Sequence, residues 1–377
     1  MPLGLQATVV MMDGRHRCPL ELVERPGFGS AVMAAQRQRA DFSDLSILRY
    51  FIRESRTLAK KILIDADPGI ADALAIVVAL ADPSLEVLAL TACSGMVSGT
   101  QATRNLHYLI GLVDPVRHPR IGQSDQSGDA LEQMPAGMPH PQSLNGRFGL
   151  GDTEPLVADL HNRRESARLI VDIVREHPHD VRILTFGPLT NLALAFDLDP
   201  ELPVLLDGVI CLGGSLHSVG DVTPSAELNL WCNPQAAHSV LKSPVGKILV
   251  PLEIGHSTGL TFEDLDRLSG LIPSTPTGEF LTGLLQYAGR SCRQFLPFEE
   301  VSLPAVTALA IASGAATFET ARLAADVEVS GDVTSGTLVL DRRRFQHRQP
   351  NVEVVTSVDS AAVVDYFCRG VRRIAIR

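Results

Sequence analysis

Short apolar runs that alternate with longer helix-like segments constrain the fold of this chain more than any other feature of its sequence. The first pair is KILID, residues 61–65, followed by the Ala-rich segment ADALAIVVALAD, residues 71–82. A short apolar run is typical of a buried strand, and the Ala-rich segment is long enough for a helix. EVLALTAC, VRILTF, GVICLGG and GKILVPL continue the strand-like series. We therefore predict an α/β fold with a single open, largely parallel sheet flanked by helices.

Polar, glycine-containing loops follow four of these predicted strands, in DADPG, ACSGM, TFGPLTN and LGGS. Parallel strands joined by right-handed crossovers end at one edge of the sheet, so these loops should meet at a common crevice. Residues 123–162, rich in Gly, Pro, Gln and Asp, predict a long loop that covers the crevice. Residues 323–345 predict a hairpin, and residues 352–373 a final strand and helix.

The charge balance restricts the partners of the protein. A formal net charge of −10 at pH 7 argues against a nucleic acid or an anionic membrane, which require a basic face. The six cysteines are scattered without a CxxC pair, which is typical of reduced thiols. No apolar run has the length of a membrane span, and no secretory signal is visible. These features predict a cytoplasmic protein that binds a small molecule or a cation.

The first 58 residues differ from the rest of the chain. They are Arg-rich and interrupted by Pro and Gly, with no sustained hydrophobic period. Two interpretations stay open, a flexible extension or sequence upstream of the native start. Helical spacing over residues 42–61 predicts a short helix that leads into the fold. We predict a domain boundary here, with residues 59–377 forming the folded domain.

Three carboxylates surround the Pro-Gly turn that follows the first predicted strand. Asp65 and Asp67 alternate with Ala66, so their side chains should point to opposite faces, with Asp67 toward the crevice. Asp72 belongs to the first turn of the following helix, where backbone N–H groups favour anions. These carboxylates are explained either by helix capping or by a divalent cation, and the local pattern alone leaves both open.

The sequence beyond this turn helps to choose between helix capping and a divalent cation. LIDADPGIADALAI resembles the opening signature of the inosine–uridine-preferring nucleoside hydrolases, DxDPGxDDAxAI. The resemblance continues in family order through FGPLTNLALA, GDVTPSAELNLWCNPQAA, GKILVPLE and the C-terminal hairpin, from about residue 60 to the end. It implies the nucleoside hydrolase fold with its Rossmann-like core, a nucleoside or ribosyl ligand, and a homo-oligomer, since family members are commonly dimers or tetramers.

The resemblance also implies a calcium ion in the crevice, which binds two ribose hydroxyls and a water. By this resemblance, Asp67 is both calcium ligand and general base, and Asp72 is a second calcium ligand. Thr190 contributes a main-chain carbonyl to the metal, while Glu227 and Asn229 hold ribose hydroxyls. Hard cations bind oxygen ligands, and general-base assistance activates a water that is a poor nucleophile by itself.

Each of these residues also has a purely structural interpretation. Thr190 and Asn191 are common helix-capping residue types, and Glu227 and Asn229 would also suit an exposed strand edge or turn. Trp231 is better explained by packing than by stacking on a base. His107 and His256 receive no role, because isolated histidines in a sequence are more often structural than catalytic.

Several positions depart from the family pattern, and they are positions that the family uses for function. The replaced groups are a ribose-contacting Asp, an Asn, a His in the covering loop, a ribose-binding Asn, a His near the leaving base and the last calcium-ligating Asp. The residues found there are Ala71, Met96, Asn145, Asp221, Val301 and Ser302. Of these, we retain Asp221 as a predicted substrate-binding residue and Ser302 as a predicted metal ligand.

Ser302 changes the charge of the predicted metal site. A hydroxyl in place of a carboxylate removes one negative charge from the metal site, and ligand charge is a main determinant of calcium affinity. Calcium binding is therefore predicted to be weakened, or absent if Ser302 cannot ligate, unless Glu299 or Glu300 supplies the missing charge. Two functions remain open, an N-ribohydrolase with an altered site and an inactive relative that binds or senses a small molecule.

Overall fold

The computed structural model describes residues 59–128, 132–135, 139–158, 164–217, 219–296, 299–343 and 348–375. The predicted extension over residues 1–58 lies outside the described residues. The helix predicted over residues 42–61 is wrong at its end, because Lys60 and Lys61 belong to the first strand of the sheet.

The described strands follow the order expected from the alternating pattern. In chain order they are β1 (Lys60–Ala66), β2 (Leu85–Ala92), β3 (Arg120–Gly122), β4 (Val181–Thr185), β5 (Gly208–Leu212), β6 (Lys247–Val250), β7 (Gly259–Thr261), β8 (Glu300–Ser302), β9 (Phe318–Val327), β10 (Leu338–Asp341) and β11 (Val352–Val358).

Helices separate most of these strands. In chain order they are α1 (Ile70–Ala81), α2 (Gly99–Val113), α3 (Pro141–Asn145), α4 (Ser166–Glu176), α5 (Thr190–Leu198), α6 (Leu202–Leu205), α7 (Leu228–Cys232), α8 (Pro234–Lys242), α9 (Leu252–His256), α10 (Phe262–Ser269), α11 (Pro276–Phe295), α12 (Pro304–Ser313) and α13 (Ser360–Ala375).

Nine of the described strands form one open sheet in the order β10-β9-β11-β6-β5-β4-β1-β2-β3. The pairs from β3 to β11 are parallel, whereas β9 pairs antiparallel with both β11 and β10. The predicted fold class is therefore confirmed, and so are the C-terminal hairpin and the final strand and helix. β7 and β8 form a separate antiparallel pair.

The sheet is covered on both faces, which explains the continuous apolar runs of its strands. In β1, every residue from Ile62 to Ala66 is buried, because the side chains of each face meet a layer of helices. The helix α1 is buried nearly all round, since it packs against α12 and α13 as well as facing the sheet. The helices α4, α5 and α8 contribute to the core on the other face. No described helix is long and apolar enough to cross a membrane.

A buried hydrogen bond ties the last helix to the first. The Tyr366 hydroxyl on α13 donates to Asp82 Oδ2 at 2.6 Å, just beyond the end of α1. The other oxygen of Asp82 accepts hydrogen bonds from the Ser84 backbone amide and hydroxyl. Tyr366 is only 5% exposed and Asp82 only 7%, so little water can replace a lost partner.

We therefore predict that Tyr366→Phe lowers the free energy of unfolding by about 1–3 kcal/mol, the cost of leaving a buried charged acceptor short of one donor. Urea denaturation measures the change. Tyr108→Phe is the matched control, because the Tyr108 ring packs edge-on against Phe280 and keeps that contact without its hydroxyl. Equal stability of the two variants would show that the Tyr366–Asp82 hydrogen bond does not anchor α13.

Candidate active site

A cavity of about 270 Å³ opens at the carboxyl edge of the parallel strands. The loops after β1, β2, β4, β5 and β6 all contribute to it, as the sequence predicted from their positions after strands. Their lining residues include Asp67, Gly69, Met96, Phe186, Gly213 and Pro251. The segment predicted as a covering loop also reaches the cavity, through Leu144 and Asn145, but these residues belong to the short helix α3.

Asp67 occupies the centre of the strand-end loops and is 3% exposed. Its Oδ2 accepts a hydrogen bond from the Met96 backbone amide. Glycines flank both oxygens, because a Cβ at Gly95 would overlap Oδ2 and a Cβ at Gly187 would overlap Oδ1. The carboxylate thus lies in a fitted space between two backbone segments, and it faces the cavity as predicted.

Asp65 points away from the cavity, as the strand alternation predicted. Its Oδ1 accepts hydrogen bonds from Thr91 Oγ1 at 2.6 Å and from Asn191 Nδ2 at 2.8 Å. Asn191 also donates to the Ala92 carbonyl at 2.7 Å, so its amide joins the ends of β1 and β2 and does not cap α5. The capping interpretation of Asn191 is therefore wrong. Burial raises the pKa of Asp65 to about 7, against the opposing effect of its hydrogen bonds.

The two carboxylates that line the cavity at this end repel each other. Burial raises the pKa of Asp67 to about 7, and the hydrogen bond from Met96 opposes this shift. Burial and the charge of Asp67 together raise the pKa of Asp72 well above its usual range. Among the described residues that line the cavity, none is Lys, Arg or Tyr. The repulsion between these carboxylates is therefore relieved by protonation or by a cationic ligand, not by a Lys or Arg side chain of the described lining.

A second group of polar side chains lines the cavity at the start of α7. Glu227 caps this helix, since its carboxylate accepts hydrogen bonds from the backbone amides of Asn229 at 2.9 Å and Leu230 at 3.3 Å. The same carboxylate accepts from the Gly214 amide at 2.8 Å. Asp221 accepts from the Leu228 amide at 3.0 Å. Burial, and next the charge of Asp221, raise the pKa of Glu227 to about 8.

Asn229 is fixed by the backbone of two strands. Its amide nitrogen donates to the carbonyls of Phe186 at 2.7 Å and Leu212 at 3.2 Å. Asn229 is 8% exposed and Glu227 is 7% exposed, so the interpretation of these residues as an exposed edge or turn is wrong. The side-chain oxygen of Asn229 has no part in those two bonds, and this residue lines the cavity.

Thr190 is placed differently from the other predicted site residues. It is the first residue of α5, and its Oγ1 accepts a hydrogen bond from Asn233 Nδ2 at 3.1 Å. The residue that precedes α5 is Leu189, which makes no side-chain cap, so the capping interpretation of Thr190 is also wrong. Thr190 is not among the cavity-lining residues, unlike Asp67, Asp72 and Ser302.

The positions that depart from the family pattern do line the cavity. Ala71, Met96, Asn145, Val301 and Ser302 are all found there, and Glu300 joins them. Asn145 stabilises the first turn of α1, because its Oδ1 accepts a hydrogen bond from the Ile70 backbone N–H at 2.9 Å.

His256 is a cavity residue to which the sequence analysis gave no role. It is the last residue of α9, which follows β6 directly, and it lies at the exposed mouth of the cavity. The surrounding protein still desolvates the ring enough to lower its pKa, while the charge of Glu253 acts in the opposite direction. A signal was present in the sequence, since His256 follows a strand whose end belongs to the converging edge.

The site suits a hard cation only in part. Within the described residues, no three His, Cys, Asp or Glu side chains are grouped so that they could hold a metal ion. Asp67 and Asp72 supply buried oxygen donors, and Gly95 and Gly187 leave the room that the Asp67 carboxylate occupies. These oxygens suit calcium chemically, and the remaining ligands would have to be the Ser302 hydroxyl, main-chain carbonyls or hydroxyls of a bound substrate.

Fold and cavity together define an α/β protein whose candidate site lies at the carboxyl edge of a parallel sheet, where proteins of this architecture bind small ligands. The chain belongs to the inosine-uridine preferring nucleoside hydrolase family, whose sequence model matches residues 62–365. This finding confirms the resemblance seen in the motifs. Members of this family are enzymes that hydrolyse nucleosides.

Individual relatives agree with the family assignment. The chain is 30% identical over 317 residues to the pyrimidine-specific ribonucleoside hydrolase RihA of Salmonella newport, covering 82% of this chain and 97% of that protein. It is 35% identical over 211 residues to uridine nucleosidase 1 of Arabidopsis thaliana, covering 55% of this chain and 61% of that protein. Among solved structures, the plant nucleoside hydrolase PpNRh1 superposes with a TM-score of 0.73 at 27% identity, covering 83% of this chain and 99% of that one.

The fitted space around Asp67 generates a prediction. Gly187→Ala would place a methyl group against Asp67 Oδ1 and displace the carboxylate from the cavity, so we expect turnover of a ribosyl substrate to fall by at least about 100-fold, as for a small misplacement of a reacting group. Gly283→Ala is the matched control, because a Cβ there meets no atom within 4 Å. Full activity of Gly187→Ala would show that the position of Asp67 is not fixed by this contact.

Proposed function

We propose that this protein hydrolyses the N-glycosidic bond of a ribonucleoside, or of a related ribosyl compound, to ribose and free base. The observation that carries the proposal is the buried Asp67 carboxylate, which faces a cavity whose lining also includes Asp72, Asp221, Glu227 and Asn229. Such an acceptor-rich surface suits a ligand with several hydroxyl groups, because each hydroxyl donates to a carboxylate or amide oxygen.

The hydroxyl-binding end of the site is preorganised by the backbone. Three N–H groups hold the Glu227 carboxylate, which leaves about one of its roughly four acceptor positions for a ligand. The Asn229 oxygen is oriented by the two carbonyls that accept from its nitrogen. We assign ribose hydroxyls to Glu227, Asn229 and Asp221, because fixed acceptors position a substrate at little entropic cost.

In this proposal Asp67 acts as the general base. Its carboxylate accepts a proton from the attacking water as the water oxygen approaches C1′ and the bond from C1′ to the base lengthens. The Met96 N–H orients the carboxylate, and the absence of a Cβ at Gly95 and Gly187 leaves room for it in this position. A calcium ion held by Asp67, Asp72 and Ser302 would supply positive charge that orients the ribose hydroxyls and makes the water more acidic.

A second candidate function is a binding or sensing protein without chemistry. The observation in its favour is that Ala71, Met96 and Val301 present apolar groups to the cavity where the family pattern has polar ones. Fewer polar contacts would weaken the positioning of a ribosyl ligand, and positioning supplies much of the rate of such reactions. The two candidates differ in turnover, so one assay separates them.

The assay is release of nitrophenolate from a nitrophenyl riboside, with calcium and with a chelator. We expect calcium-dependent turnover in the natural protein, and a loss of about 10²–10⁴-fold in Asp67→Asn, the usual contribution of a general base. Asp180→Asn is the control, since Asp180 is an exposed carboxylate paired with Lys61 at the far edge of the sheet. No turnover above the Asp67→Asn background by the folded natural protein would favour the binding function.

A separate prediction concerns the metal alone. Ser302→Asp returns a negative charge to the site, so we expect calcium affinity measured by calorimetry to rise by at least about tenfold. Ser302→Asn adds similar bulk without the charge and should give no such rise. If Ser302→Asp binds calcium no better than the natural protein, position 302 does not face the metal and Ser302 is not a ligand.

A further inference from the structure

The cavity has a second wall that the assignments above leave unused. It is formed by α9, by α11 with the following Leu296, by Glu300 and Val301 of β8 and by the first residue of α12, and we call it the distal wall. Its apolar members are Leu252, Gly255, Ala288, Leu296, Val301 and Pro304, and its polar members are His256, Ser291, Cys292 and Glu300. If the carboxylate end holds ribose, as the proposed function requires, the distal wall is where the leaving base must lie.

Most polar groups of the distal wall are committed within the protein. Ser291 Oγ is within hydrogen-bond distance of the Leu144 carbonyl at 3.0 Å and the Ala288 carbonyl at 3.1 Å. The Cys292 thiol donates to the Glu300 carbonyl at 3.3 Å. The Glu300 side chain is exposed, and an ionised carboxylate accepts hydrogen bonds but donates none.

The imidazole of His256 differs from these groups in its chemistry. It can release a proton and take one back near neutral pH, and no other described residue of the distal wall can do both. Its position at the exposed mouth gives it contact with solvent, which can restore the proton after each turnover. The surrounding protein lowers its pKa, so its protonated form is a stronger acid toward a base than an unperturbed histidine.

We propose that His256 is a catalytic residue that protonates the leaving base, in place of the histidine that the family pattern has at position 301. This inference rests on the proposed function. Val301 cannot donate a proton, whereas His256 lines the same cavity from α9. The ligand that the distal wall would recognise is a nucleobase, a flat ring with hydrogen-bonding edges that packs between apolar side chains.

The step balances without any further reactant. The bond from C1′ to the base nitrogen breaks, and its electron pair goes to the base. The imidazolium of His256 gives its proton to the base, while the water oxygen bonds to C1′ and gives its own proton to Asp67. Solvent then returns a proton to His256 and removes one from Asp67. The products are ribose and the neutral base.

The test compares substrates that do and do not need a proton on the leaving group. Uridine and inosine release bases that are poor anions, whereas a nitrophenyl riboside releases a stable anion. We expect His256→Gln to lower kcat for both nucleosides by about 10²–10⁴-fold, the usual range for a general acid, and to change nitrophenyl riboside turnover little. His118→Gln is the matched control, because His118 is 58% exposed and pairs with Asp114 away from the cavity.

The outcomes separate this inference from the proposed function. Equal losses on all substrates, or no loss on the nucleosides, would overturn the role of His256 and leave the hydrolase intact. The role of His256 would also be overturned if the natural protein cleaved the nitrophenyl riboside but neither nucleoside, because the leaving base would then not be protonated. If the natural protein cleaves no substrate, the proposed function fails and this inference fails with it. Thermal denaturation of each variant confirms that the protein tested is folded.

Discussion

The burial of like-charged carboxylates at the end of β1 is the constraint on which the rest of the site depends. Asp65, Asp67 and Asp72 are each at most 9% exposed, and no Lys or Arg is found among the described residues lining the cavity. Removing a carboxylate from water is costly unless hydrogen bonds or charges compensate. Here the compensation for Asp65 comes from Thr91 of β2 and Asn191 of α5, and that for Asp67 from the backbone amide of Met96.

That constraint explains why distant segments converge so closely. Asn191 from α5 and Thr91 from β2 meet at Asp65. Gly95 and Met96 of the loop after β2, with Gly187 of the loop after β4, enclose Asp67. A larger residue in either glycine position would force the carboxylate out of its space. The parallel sheet brings these segments together because its strands all end at one edge, so the fold and the site share one geometric cause.

The sequence predicts the architecture well because periodicity is a local property. KILID and the Ala-rich segment after it are recognisable as strand and helix, and the strand order then places Asp67 in the crevice. The roles of Asn191 and Glu227 were not predictable in this way. Each depends on a backbone group outside its own helix, the Ala92 carbonyl for Asn191 and the Gly214 amide for Glu227. Residue type alone suggested capping for Asn191 and an exposed turn as the alternative for Glu227, and both suggestions were wrong.

Retained family residues do not all argue for function with equal force. Glu227 caps α7 and Asp65 holds Asn191, so both would be kept by a protein that needed only to fold. Asp72 is different, because burial and the charge of Asp67 raise its pKa and a hydrogen bond from the Asp67 backbone opposes this only in part. A chain that had no use for this pair could replace either carboxylate with a neutral side chain and relieve the repulsion. The presence of both, beside a cavity that His256 also lines, supports the proposed function, in which one ligand contacts both carboxylates.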